Sequence, residues 1–186
     1  PVNPKELDSV MSIGERLSSA YFSHLLTMSG MPAVAFTGGQ AGILTDDNPG
    51  NAEILEINTF RILNALNEGK IVVVAGFQGL TSEGDVRTLG RGGSDTSAVA
   101  LGSSMDAEVV EIYSDVDGIA NCDPRQIPEA VFMESVSVNQ ILSMADEGSK
   151  VIHPRAVKAS LKTKTKIVVR NTFNEQSGTI ILHNTP

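Results

Sequence analysis

Along residues 12–28 the apolar side chains of Ile13, Leu17, Ala20, Tyr21, Leu25 and Met28 recur at spacings of three and four, the period of a helix with one apolar face. Ser12 and Glu15 stand in the relation of a capping box at its start, and Gly30 lies just past its end. The short apolar run at 33–37, bounded by Pro32 and the Gly38-Gly39 pair, predicts a buried strand. Residues 52–57 alternate like a strand, and the stretch after them puts Ile62, Leu63 and Leu66 on one helical face, with Asn58 as a cap and Gly69 as a stop. The strongest strand pattern is IVVVAG at 71–76, whose unbroken β-branched run predicts burial on both faces, as at the centre of a mostly parallel sheet covered by helices.

Beyond a glycine-rich loop the pattern predicts a helix over 94–105 and a strand over 108–113. Further helices are expected over 137–147 and 154–164, the latter opening on Pro154, and strands over 166–170 and 179–182. Strands alternating with helices imply an α/β fold dominated by parallel pairing, in which ligands bind beyond the carboxyl ends of the strands. With no repeat, linker or low-complexity tract, residues 1–186 read as a single domain.

Composition narrows the function classes. The 186-residue chain is 41% apolar and 19% charged, an ordinary globular balance. A net charge of −8 without a Lys/Arg cluster argues against nucleic acid as a partner. No apolar run approaches the roughly 18 residues of a membrane span, and PVNPKELDSV lacks the pattern of a signal peptide, so no membrane role is expected. Cys122, alone, permits no internal disulfide, and the cytoplasm is the natural compartment.

Two clusters carry candidate chemistry. In TLGRGGSD, Arg91 and neighbouring glycines precede a predicted helix that begins with Ser94 and Asp95. Unpaired helix N–H groups, close backbone approach at glycine and a forked guanidinium together suit a carboxylate or phosphate. The spacing is neither a Walker loop nor GxGxxG, and the glycines alone would serve a structural turn equally well. In SDVDGIANCDPR, Ser114, Asp115 and Arg125 could contact a nucleotide, while Asp117-Gly118 reads as a turn. The acidic spacing does not fit a calcium loop. Lys150 could reach a phosphate or be an ordinary surface lysine, Glu15 could cap its helix or bind a ligand, and His153 reads as a structural residue at a helix entry.

Taken in order, SIGERLSS, GGQAGILTD, VVVAGFQG, TLGRGGSDTSA, SDVDGIANCDPR, GSKVIHPRA and VRNTFN resemble the aspartate kinases of the amino acid kinase superfamily over nearly the whole chain. The resemblance implies a three-layer α/β/α sandwich with a mostly parallel central sheet. It also implies transfer of the γ-phosphoryl of ATP to the β-carboxylate of L-aspartate, the step that opens lysine, threonine and methionine biosynthesis. By this resemblance Glu15 holds the α-amino group of aspartate and Arg91 its α-carboxylate. Gly92, Gly93 and Ser94 line the pocket, Phe77 walls it, and Asp95 organises charge at the reacting centre. Ser114, Asp115, Ala120, Arg125, Lys150 and Val151 match ATP-contacting positions, with Mg2+ bound through the phosphates and no protein metal site.

Departures from the family pattern are also visible. Its strand-opening KFGG motif is absent from residues 1–12, and the chain ends where the family continues into ACT domains, so an incomplete catalytic domain with little activity alone is expected. Ala120 replaces a frequent aromatic and Gly39 a frequent Trp. A truncated sheet would expose an edge, which leaves room for a homodimer. Kinases of the same fold with glutamate, acetylglutamate or UMP as acceptor, and a non-catalytic ligand-binding module, remain as alternatives.

Overall fold

Asn3 accepts a hydrogen bond from the Lys5 N–H at 3.1 Å and is followed at once by a proline, and together they start a helix absent from the hydrophobic pattern, α1 (Pro4–Met11). It appears in a computed structural model that describes residues 3–122, 127, 129–146, 152–160 and 165–183. The chain divides within a helix into two compact units, Pro1–Ser97 and Ala98–Pro186.

In the first unit α1 is followed by α2 (Ile13–Met28), with Ser12 as the junction. The expected capping box does not form. Ser12 keeps helical dihedrals, its N–H is already bonded to the Asp8 carbonyl, and its hydroxyl donates to Ser9 O at 2.8 Å. The face of α2 that is buried carries Ser19 and Ser23, while the predicted apolar stripe is exposed, Leu17 to 70% and Tyr21 to 62%. Small serines let α2 lie close to β1 (Ala33–Phe36) and to β4 (Ile71–Val74), which pair in parallel from Ala33↔Ile71 to Phe36↔Val74. Among the described residues β4 has β1 as its one sheet partner, so Ile71 is exposed and Val72 to Val74 are half-buried rather than enclosed on both faces.

A second sheet has the order β3-β2-β5-β6, from β2 (Ile43–Thr45), β3 (Ile54–Ile57), β5 (Gln78–Leu80) and β6 (Val86–Thr88). Here the segment expected as a glycine-rich loop folds into an antiparallel hairpin closed by Thr81 N–H to Asp85 O at 2.9 Å. Its inward residues are polar, which hides it from hydrophobic periodicity. Arg87, 1% exposed, donates through Nε to Asp47 Oδ1 at 2.7 Å and through Nη2 to Asp85 Oδ2 at 3.0 Å. Burial works against its charge, but the bonds to Asp47 and Asp85 outweigh it and hold the guanidinium above its ordinary pKa. The helix α3 (Phe60–Asn67) buries Ile62 and Ala65, leaving Leu63 and Leu66 exposed; Asn58 accepts from the Phe60 N–H and Gly69 ends the helix with φ 74°.

The second unit holds most of α4 (Gly93–Ser104) and a sheet of order β7-β9-β10-β8, made from β7 (Val109–Ser114), β8 (Ser135–Ser137), β9 (Lys166–Asn171) and β10 (Thr179–Leu182). β7 and β9 run parallel, as do β10 and β8, while β9 and β10 are antiparallel. With α5 (Val138–Asp146) and α6 (Pro154–Ser160), the strands enclose an aliphatic core that includes Val99, Ile141, Val157, Ile167, Val169 and Ile181. The elements expected over 94–105, 108–113, 166–170 and 179–182 are all found, within a residue at each end. The mixed sheets with flanking helices make an α/β structure.

Candidate functional site

Beyond the carboxyl end of β4 the chain turns sharply at Phe77, whose φ of 67° is rare for a residue with a side chain. Three bonds enforce this conformation. The Phe77 N–H donates to Ser97 Oγ at 2.9 Å, the Ser97 hydroxyl donates to Gly93 O at 2.7 Å, and the Leu89 N–H donates to Phe77 O at 2.9 Å. The turn is thereby tied to the first turn of α4. Gly93 admits this contact, because a Cβ there would stand 2.8 Å from Phe77 Cδ2 and 3.0 Å from Leu89 Cβ.

Gly90 to Gly93 form a tight turn closed by Gly93 N–H to Gly90 O at 3.0 Å, and it presents Arg91 to solvent. Gly90 and Gly92 have φ of 72° and 70°, the left-handed region that favours glycine. Ser94 is exposed and Asp95 half-buried in the first turn of α4, where helix N–H groups carry partial positive charge. Glu15, half-buried in the first turn of α2, lines a cavity of about 340 Å³ with Phe22 and with the β4 end from Val73 to Gly76. A Cβ on Gly76 would lie 3.8 Å from Ser94 Cα. Around the end of β4 the fold therefore gathers a carboxylate (Glu15), an aromatic ring (Phe77) and a helix N-terminus (Gly93, Ser94), with Arg91 and Gly92 in the adjoining turn. Such a set can meet an ammonium with Glu15 and a carboxylate with Arg91 and backbone amides.

In the second unit, Ser114 ends β7, its hydroxyl donating to Asp115 Oδ1 at 3.2 Å, and Asp115 is exposed. The Ser114 carbonyl accepts from Thr172 N–H at 2.8 Å and Thr172 Oγ1 at 2.9 Å. Asp117 is more than a turn residue. Its Oδ1 accepts from Asn174 Nδ2 and Asn171 Nδ2, each at 2.7 Å, and these bonds hold its carboxyl below the ordinary range. The loop after β7 is thus clasped to the loop after β9. Ala120 is buried and bridged to Phe132, while Arg125, Lys150 and Val151 lie outside the described residues. His153 sits at the start of α6, where its Nδ1 accepts from the Arg155 N–H at 3.3 Å.

Sequence reasoning passed over Asp8, Ser97 and the Asp117 clasp. Asn171 and Asn174 stood inside VRNTFN, and Ser97 inside TLGRGGSDTSA, so those were within reach. Asp8 lies in an unpredicted helix and carried no signal.

The model of the amino acid kinase family matches residues 2–171. The chain belongs to the amino acid kinase family. Within it, the chain is 44% identical over 180 residues to aspartokinase 1 of Bacillus subtilis (strain 168), covering 97% of this chain and 45% of that protein. It is 45% identical over 179 residues to the aspartokinase of Mycolicibacterium smegmatis, covering 96% of this chain and 42% of that one. The crystal structure of E. coli aspartokinase III in complex with aspartate and ADP superposes with a TM-score of 0.90 at 30% identity, over 100% of this chain and 42% of that chain. The chain spans less than half the length of these relatives. Among the described residues no helix is long and apolar enough to cross a membrane.

Proposed function

We propose that the protein carrying this chain phosphorylates the β-carboxylate of L-aspartate with ATP, giving 4-phospho-L-aspartate and ADP. The observation that carries the reading is the gathering of Glu15, Phe77 and the α4 N-terminus at the end of β4, beside the turn bearing Arg91. Glu15 receives the α-ammonium and Arg91 grips the α-carboxylate through paired charge-assisted hydrogen bonds. Gly92, Gly93 and Ser94 let the acceptor approach the backbone, with Phe77 as one wall. A β-carboxylate oxygen attacks the γ-phosphorus and the bond to the leaving ADP oxygen breaks, while Asp95 orders the charges around the reacting group. Similarity to proteins named aspartokinase, one of them solved with aspartate and ADP, supports this acceptor over glutamate, acetylglutamate or UMP.

ATP is assigned to the second unit, to Ser114, Asp115 and Ala120 together with Arg125, Lys150 and Val151. Among the described residues no three His, Cys, Asp or Glu side chains converge, and Mg2+ would be held through phosphate oxygens, suited to an ion that keeps most of its waters. It would neutralise charge on the phosphates. We propose that the reaction, which uses ATP and a free amino acid, runs in the cytoplasm, and that the protein forms a homodimer through the exposed apolar residues of α1 and α2.

The test is a hydroxamate assay on the full-length natural protein with aspartate, glutamate, acetylglutamate and UMP as rival acceptors, UMP being scored by ADP release. Turnover with L-aspartate is expected; preference for another acceptor rejects the reading. Arg91→Ala should weaken aspartate binding roughly 10- to 100-fold, the worth of a charged hydrogen-bonded pair, and unchanged affinity would remove Arg91 from the site.

A further inference from the structure

Asp8 is a carboxylate almost without access to solvent, 1% exposed, on α1 and outside every residue assigned above to aspartate or nucleotide. A buried carboxylate is costly unless its oxygens are engaged. Here Oδ1 accepts from the Thr88 hydroxyl at 2.6 Å and from the Gly50 N–H at 3.0 Å, and Oδ2 shares that N–H at 3.1 Å.

Both partners bear on the turn that carries Arg91. Thr88 is the last residue of β6, two before Gly90, and its carbonyl accepts from the Ala52 N–H at 2.9 Å. Gly90 is pressed against Gly50 so closely that a Cβ would stand 2.8 Å from the Gly50 carbonyl oxygen. One carboxylate therefore holds both the strand end that leads into the Arg91 turn and the loop packed against that turn. Four residues after Asp8, the carbonyl of buried Ser12 accepts from Nε2 of buried Gln78 at 3.0 Å, and Glu15 follows three residues later. The segment that carries Glu15 is thus clasped to the hairpin that leads to Arg91 at two points, Asp8 on the end of β6 and Ser12 on β5.

We propose that Asp8 is a positioning residue for the amino-acid acceptor: through Thr88 and Gly50 it holds the Arg91 turn in place relative to Glu15, so that one small amino acid meets both groups at once. The inference rests on the reading of L-aspartate as acceptor. A carboxylate suits the task because its two oxygens accept from both donors at once. In an amide of the same shape one of the two oxygens that face the Gly50 N–H becomes an NH2, donor against donor, which loosens the clasp without opening a cavity.

Steady-state kinetics on the full-length natural protein test this with Asp8→Asn, Thr88→Val and, as a control elsewhere in the same unit, Ile62→Val, which removes a methylene from the buried face of α3. Asp8→Asn and Thr88→Val should each raise the KM for L-aspartate roughly 10- to 100-fold, the scale on which small misplacements of a positioning group act, with the KM for ATP unchanged. Ile62→Val should lower Tm and leave the aspartate KM where it was. Asp8→Asn and Thr88→Val proteins that lose Tm without a change in aspartate KM, or that raise both KM values alike, overturn the inference while the acceptor reading stands. A wild-type protein that does not phosphorylate aspartate overturns both. Should Asp8→Asn fail to fold, Thr88→Val decides by the same outcomes.

Discussion

The two units bury different chemistry. In Ala98–Pro186 the enclosed side chains are chiefly aliphatic, with Ile167, Val169 and Ile181 of the sheet packed against Ile141 and Val157 of the helices. In Pro1–Ser97 the enclosed set includes Asp8, Gln78, Arg87, Thr88 and Ser97, each engaged by a directed hydrogen bond, while long apolar side chains on α1 and α2 are exposed. An aliphatic core tolerates shifts so long as volume is conserved, whereas a buried polar group is satisfied only by particular geometry. The first unit also carries Glu15, Phe77 and Arg91, and directional clasps are the means by which a fold holds such groups to a fixed spacing.

Deletion in the aliphatic unit should cost the most. Ile167→Ala removes a fully buried side chain and is expected to destabilise by about 2–5 kcal/mol in urea unfolding of the natural protein; a loss under about 1 kcal/mol would mean that the second unit is not held by that core. Next comes Gly93→Ala, where the added Cβ meets the Phe77 ring and the Leu89 Cβ. Overpacking of this kind costs about 1–3 kcal/mol, and aspartate affinity measured by calorimetry should fall with it. Retained affinity would show that the Phe77 turn is free to give way.

Ser97→Ala takes the acceptor from the Phe77 N–H and should cost about 1 kcal/mol, read out as a modest drop in Tm; no drop would mean that the left-handed turn is sustained without that bond. The smallest effect is set by pH. Hydrogen bonding to Arg87 holds the Asp47 carboxyl below its ordinary value. Its contribution is therefore fully present above the unfolded pKa of about 4 and is lost as pH falls toward the lower folded value. Unfolding midpoints collected from pH 5 downward should decline less steeply in Asp47→Asn than in wild type, and parallel slopes would remove that pair from the acid response.

Most of the second unit was legible because its strands and helices are aliphatic, so period and burial agree; β9 and β10 lie where KIVVR and TIIL point. The first unit was read less well, for identifiable reasons. The hairpin of β5 and β6 turns Gln78, Arg87 and Thr88 inward, and a pattern that equates polar with exposed passes over it. On α2 the period was right and the buried face wrong, because the serines, not the leucines, meet β1 and β4. Candidate site residues fared in the same way. Glu15, Arg91 and Ser94 stood out as charges and a hydroxyl among glycines, whereas Asp8 resembled any acid on a surface helix.

Local spacing and residue type were sufficient for α2, α3, β1 and β4 of the first unit and for most elements of the second, since these depend on near neighbours in the chain, and the ordered motifs were sufficient for the family membership. Tertiary structure alone decided that Phe77 takes a left-handed turn pinned by Ser97, and that Asp8, 80 residues before Thr88, closes on it. The physical reason is range. Periodicity and capping act over a few residues, while the burial of a polar group becomes favourable only when a partner far along the chain arrives to satisfy it.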